Sequence, residues 1–274
     1  MKNLTKLMSL LTIICVVFSL AACGSDDTAV DYSKSADGAL VVAEAGSAGE
    51  ELATTDEFFA NAKFTAVDSM ATALLDVKSG TSDIAIVDYV TSIGSIGEGT
   101  DYADLAVVEG KDFNPEEYGI AFRKGSDITP AVNAAIAELA AEGKMEEIGK
   151  KYKLDKLVIK DGKAFDDAVV EGDLAYVKEK GELIIGITLF APMNYYEGEE
   201  LIGFETEFAK AVCEKLGVKA KFVEINWNSK EIELNAKNID CIWNGMTITE
   251  ERATNMSISV PYMQNKQVMV SKTK

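Results

Sequence analysis

Two stretches of this chain, "ALLDVKSGTSDIAIVD" (73–88) and "IELNAKNIDCIWNG" (232–245), follow one design. Each runs from a short helix through a lysine and a turn to an aspartate, then into an apolar strand. The echo predicts two similar α/β lobes rather than one long sheet. The rest of the pattern agrees, since short apolar runs alternate with amphipathic helical stretches, as parallel sheets flanked by helices require. "ALVVAEAG" (39–46), "DIAIVD" (83–88) and "YGIAFRKG" (118–125) read as strands in the first half, and "ELIIGITLF" (182–190), "KFVEINW" (221–227) and "DCIWNGM" (240–246) in the second. "MATALLDVKSG" reads as a helix closed by Gly80. Thr129-Pro130 supplies a cap and a first helical residue for a helix with apolar positions 132, 136, 139 and 140. Phe204, Phe208, Ala211, Val212 and Leu216 share one helical face ended by Gly217, and "SKEIELNAKN" is a further short helix. Residues 155–172 are charged and lack a clear period, which marks a connector.

The first 22 residues stand apart. Lys2 and Lys6 form a basic start, "LLTIICVVFSL" is an apolar run too short to span a bilayer, and "LAAC" offers a small-residue cleavage site at Leu20–Cys23. This segment resembles a bacterial lipoprotein signal, and the resemblance implies acylation of Cys23 and tethering to the outer face of the cytoplasmic membrane. Residues 23–37 are polar and poor in aromatics, the composition of a flexible tether.

Composition narrows the partners. The chain's formal net charge of −18 becomes about −20 without the leader lysines, which argues against nucleic acid as a partner. There is no histidine, so imidazole acid–base catalysis and most zinc sites are excluded. Neither a metal nor a cofactor is expected. Cys213 and Cys241 have no metal-like spacing, and their apolar surroundings leave either two buried thiols or a disulfide.

In parallel α/β lobes a ligand sits beyond the carboxyl ends of the strands, where helices begin. In "AGSAGEE" (45–51), the free N–H groups of Ser47, Ala48 and Gly49 are placed to hold an anion. In "GMTITEER" (245–252), Thr249 is the expected cap and Arg252 falls in the first helical turn, where the macrodipole disfavours a cation by roughly 0.3–1 kcal/mol. Only two of the 27 basic residues are arginine, Arg123 and Arg252. The rigid fork of Arg252 suits a carboxylate better than a lysine would. Asp88 closes "IAIVD", so its carboxylate emerges at the same rim. Phe190 and Trp227 close their strands too, and two aromatics on one rim can sandwich a small ligand.

With these residues in place the chain resembles the polar amino-acid-binding proteins of ABC importers, the extracytoplasmic solute-binding proteins of family 3. "ELIIGITLFAPMNYY", "LIGFETEFAKAVCEKLGV", "IDCIWNGMTITEERATNMSISVPYMQNKQVMV", "VVAEAGSAGEE" and "SGTSDIAIVD" carry the resemblance. It implies a two-lobed periplasmic-binding-protein-like α/β fold of type II. It also implies that Arg252 pairs with the ligand α-carboxylate, helped by N–H groups of Thr247 and Ala48 beside Ser47. Asp88 would take the α-ammonium with the Thr247 hydroxyl and the Gly245 carbonyl, and Phe190 and Trp227 would stack on the ligand. Basic-amino-acid binders carry an acid shortly after the first strand. Here that place reads "ITL" (187–189), which favours an uncharged polar amino acid. Loop residues Leu189, Met193, Tyr195 and Tyr89 are expected to set the side-chain preference.

The order of the halves departs from the family, because the "GITLFAP…VMV" half follows the "VVAEAGSAGEE" half instead of preceding it. The chain therefore resembles a circularly permuted member, with a smaller lobe over 38–117, a larger lobe over 118–274 and residues 155–172 joining the old ends. One covalent crossing is expected near 117–124, with "KQVMVSK" ending free at the second, and the rival topology is a swapped dimer. The expected partners of the monomer are a free amino acid and an ABC transporter permease. The alternatives are a dehydratase-like enzyme using Asp88 and an amino-acid sensor.

Overall fold

The computed structural model describes residues 30–165 and 167–273; the leader and Cys23 lie outside them. The first elements in the chain are β1 (Leu40–Glu44), α1 (Ala48–Thr55), β2 (Lys63–Val67), α2 (Met70–Ser79) and β3 (Ile84–Asp88). Next come α3 (Tyr89–Ser95), β4 (Leu105–Val107), β5 (Pro115–Tyr118), β6 (Ala121–Arg123), α4 (Ile128–Ala141), α5 (Lys144–Lys151) and α6 (Asp173–Lys180). The second half holds β7 (Glu182–Ile187), β8 (Tyr195–Glu197), β9 (Glu200–Ile202), α7 (Phe204–Leu216), β10 (Lys219–Glu224) and α8 (Lys230–Asn235). The series closes with β11 (Cys241–Ile242), α9 (Glu250–Asn255), β12 (Met256–Ile258) and β13 (Met263–Lys272).

These strands build two sheets with one logic. The first has the order β2-β1-β3-β13-β4, with β5 paired to β13, and the second has the order β10-β7-β11-β6-β12. In each, three parallel strands are followed by one antiparallel strand that arrives from the other lobe: β13 beside β3, and β6 beside β11. The chain thus crosses between lobes twice, at β5–β6 and at β12–β13. This mixed α/β, two-sheet architecture is the one expected of a two-lobed binding-protein fold.

The lobe boundary differs from the sequence reading. β13 does not end free at a crossing; it lies inside the smaller lobe's sheet, with Gln267 opposite Asp88 and Val270 opposite Val107. The reason is legible in hindsight: "VMV" is as apolar as "IAIV", and a strand buried on both faces needs neighbours on both edges. Residues 263–272 therefore pack with 38–117 rather than with 118–262.

Burial explains the remaining placement. Every residue of β3 is buried, because Val42, Leu74 and Val87 meet on the α2 face while Val41, Ile84 and Ile86 pack on the α1 face. In the larger lobe Phe204 and Phe208 of α7 pack among Trp243 and Tyr262. Gly80 ends α2 at φ +81° and Gly217 ends α7 at φ +74°, the left-handed closure the sequence anticipates.

Three expectations shift. The helix expected to start at Thr129-Pro130 begins two residues earlier, at Ile128, and Thr129 Oγ1 is buried without a partner. β10 stops at Glu224, so Trp227 opens a short 3-10 turn rather than closing a strand. Cys213 and Cys241 are free, buried thiols. The connector is pinned rather than loose, because Ile159 donates to the Tyr262 carbonyl and Val170 to the Gly125 carbonyl (2.9 and 2.7 Å).

Candidate functional site

Strands β1 and β3 of the smaller lobe end on Glu44 and Asp88, and both carboxyl groups face the larger lobe's turn Asn244–Thr247. A small enclosed cavity lies there, lined by Glu44, Ser47, Ala48, Met70, Asp88, Trp227, Asn244, Gly245, Thr247 and Arg252. The lobes close on either side of it. Lys230 Nζ donates to the Gly46 carbonyl across the gap (2.9 Å). At Gly94 a Cβ would lie 2.6 Å from Pro192 of the opposite lobe. Glycine at that point lets α3 seat directly on the Ala191–Pro192 turn.

Arg252 enters as the sequence anticipates. Thr249 caps α9, its Oγ1 accepting from the Arg252 N–H (3.2 Å), and the guanidinium sits 9% exposed in the cavity wall. Its Nη1 donates to the Thr247 carbonyl (2.7 Å) and its Nη2 to the Gly46 carbonyl (3.3 Å). Among the described residues it forms no salt bridge. Arg123, by contrast, is fully employed: it bridges Asp173 at 3.1 Å and Asp240 at 3.8 Å and donates to the Ile239 carbonyl. Burial lowers the pKa of Arg252, with the charges of Glu51 and Glu116 opposing that shift.

Asp88 forms the other pole. It is buried, and its Oδ1 accepts from Asn265 Nδ2 (3.0 Å) and Gln267 Nε2 (2.5 Å). Both amides also donate to Glu116 Oε2 (3.0 and 3.1 Å). Burial first, and the Glu116 charge second, push the Asp88 carboxyl up to about 7. This pole consists of two acids bridged by neutral amides, with no cation among the described residues bonded to either.

The remaining candidates divide. Ser47 Oγ caps α1 by accepting from the Glu50 N–H (3.1 Å), and Ala48 follows at the first helical position. Gly245 turns at φ +55°, with its N–H donated to the buried Glu205 carboxylate (2.7 Å). The Thr247 hydroxyl donates to Glu116 Oε2 (3.0 Å), which leaves its lone pairs to accept from an ammonium. Trp227 lines the cavity and stacks beneath Lys230 Nζ at 4.7 Å. Phe190 is displaced from the expected sandwich. Its ring supports the Gly245 turn and faces an adjoining pocket with Leu189, Tyr195 and Thr91.

Sequence reasoning missed Glu44, Glu116, Lys230, Asn265 and Gln267. A buried acid inside "VVAEAG" and two amides within the apolar run of β13 were the available signals.

The comparisons agree with this picture. Residues 183–274 match the bacterial extracellular solute-binding proteins, family 3. Over that segment the chain is similar to this family. That segment carries Gly245, Thr247 and Arg252, while Asp88 lies outside it. The chain is 37% identical over 102 residues to the L-cystine-binding protein TcyJ of Escherichia coli (strain K12), covering 36% of this chain and 37% of that one. It is 34% identical over 94 residues to the arginine-binding extracellular protein ArtP of Bacillus subtilis (strain 168), covering 34% and 37%. The chain thus spans well under half the length of these relatives. A solved structure, Tv2483 bound to L-arginine, is 32% identical over 32% of this chain and 37% of that chain, with a TM-score of 0.31.

Proposed function

We propose that this family 3 protein captures one free amino acid between its lobes and hands it to the permease of an ABC importer, without chemistry on the ligand. One observation carries the reading: Arg252 from the larger lobe and Asp88 from the smaller lobe line the same buried cavity. The guanidinium is short of an anion and the acid is short of a cation. A zwitterion answers both, its α-carboxylate on Arg252 and its α-ammonium on Asp88, flanked by Gly245, Thr247, Ser47 and Ala48. Binding would draw an open–closed equilibrium towards the closed lobes by its differential affinity for that state. The protein would act as a monomer outside the cell, held to the outer face of the cytoplasmic membrane by acylated Cys23, with its halves in circularly permuted order. Relatives named for cystine and arginine support the ligand class, and "ITL" after β7 favours an uncharged polar member of it.

A thermal-shift screen against the twenty amino acids and cystine tests the reading. A true ligand at a hundredfold excess over its dissociation constant contributes about 2.7 kcal/mol. No stabilisation by any of them would refute amino-acid capture. A dehydratase-like reading is favoured by one feature, two buried acids with raised pKa values in a single cavity. Incubating each ligand with the protein and recovering it chemically unchanged separates binding from catalysis.

A further inference from the structure

Glu44 has no structural employment. It closes β1 after three buried apolar residues, is 2% exposed, and lines the cavity shared by Asp88 and Arg252. Its Oε1 has no hydrogen-bond partner among the described residues. An unmatched buried polar atom costs stability, by about 1–3 kcal/mol, and its retention calls for an explanation. A valine would complete the strand without that cost. Glu44 lines the same cavity as the Asp88 and Arg252 poles, so an amino acid held between them comes within reach of its carboxyl.

The surroundings decide what Glu44 can take. Asp88 from β3, Lys230 from α8 and Arg252 from α9 bear on the cavity, with Glu116 of β5 behind Asp88. Arg252 and Lys230 bring positive charge to the cavity against Glu116 and a partly ionised Asp88, and a zwitterion adds nothing net. Burial, and next the Asp88 charge, raise the Glu44 carboxyl to about 8 against the opposing Lys230 ammonium. Near neutral pH it is therefore a neutral acid that presents an O–H donor beside a carbonyl acceptor. A carboxamide presents the complementary pair. A cationic side chain would instead add a third positive charge to Lys230 and Arg252.

We propose that Glu44 reads the ligand's side chain and selects an uncharged one that both donates and accepts a hydrogen bond, a carboxamide above all. The inference rests on amino-acid capture as the function. Calorimetry on the full chain with glutamine, asparagine, methionine and lysine tests it. The carboxamides should bind roughly tenfold tighter than methionine, the value of one matched buried hydrogen bond. Glu44→Leu should erase that gap while methionine still binds. Glu44→Gln, isosteric and neutral, should retain the gap, and the proton count on binding should equal that of the wild type. An unchanged ranking in Glu44→Leu would overturn the inference. So would tightest binding of lysine with a proton lost from the wild type but not from Glu44→Gln. Were no amino acid to bind the wild type, capture itself would fall; binding with the ranking unmoved by Glu44 overturns the inference alone.

Discussion

The two poles of the cavity are built on opposite principles. The Asp88 pole is crowded, with Asn265 and Gln267 each reaching both Asp88 and Glu116, so its hydrogen bonds are satisfied while its charge is not. The Arg252 pole is sparse, and among the described residues its guanidinium donates only to the Thr247 and Gly46 carbonyls. The difference teaches that neither pole is a structural ion pair. A structural arginine in this protein looks like Arg123, anchored on two aspartates. At the Asp88 pole amides hold two acids in place, and at the Arg252 pole backbone carbonyls aim one cation.

The most severe way to break this comparison is Arg252→Ala. Removing one partner of a buried charge pair costs about 2–5 kcal/mol, so calorimetry should find amino-acid binding abolished while circular dichroism shows a folded chain. Unchanged affinity would refute the carboxylate assignment. Asp88→Asn should cost about 1.5–3 kcal/mol of binding, the worth of a charge-assisted hydrogen bond. It carries a second signature. Burial and the Glu116 charge raise the Asp88 pKa from its ordinary value of 3.8 to about 7. The folded protein then binds more protons than the unfolded chain between those values, so ligand-free stability falls as pH rises from about 4 to 7. Over the upper part of the same window affinity for an amino acid should rise, as Asp88 ionises to meet the ammonium. Thermal melts and calorimetry at pH 5.5 and 7.5 measure the two trends; Asp88→Asn should flatten the second and lessen the first, whose remainder comes from the raised carboxyls of Glu44 and Glu205.

Gly94→Ala sharpens the comparison by acting on neither pole. A Cβ there would sit 2.6 Å from Pro192, and relieving such overpacking costs about 1–3 kcal/mol. The loss should fall on closure, weakening binding by about 1 kcal/mol while the melting of the ligand-free chain stays nearly constant. The smallest effect is expected from Thr247→Val. Its hydroxyl bonds to Glu116, and calorimetry should register a change below about 1 kcal/mol.

Much of this was legible in the sequence, and the misses share a cause. The repeated design of 73–88 and 232–245 announced two sheets of like order, and Thr249 announced the cap that places Arg252. Glycines at 80 and 217 marked helix ends because only a left-handed residue fits there. What stayed hidden was long-range pairing. "KQVMVSK" gives its strand character locally, but its seat between β3 and β4 depends on which edge is open. Glu116, Asn265 and Gln267 enter the site only through that seat. Phe190 misled because β7 stops at Ile187, so the ring belongs to the turn bridged to Asn194 and supports Gly245.

The seat of β13 has a consequence for synthesis. The smaller lobe's other strands leave the ribosome early, yet the strand that fills the interior of its sheet emerges only after β6 to β12 of the larger lobe. Until then Asp88 has neither of its amides and β3 has an unpaired edge. The nascent chain must therefore hold an incomplete sheet in the smaller lobe while the strands of its neighbour are made.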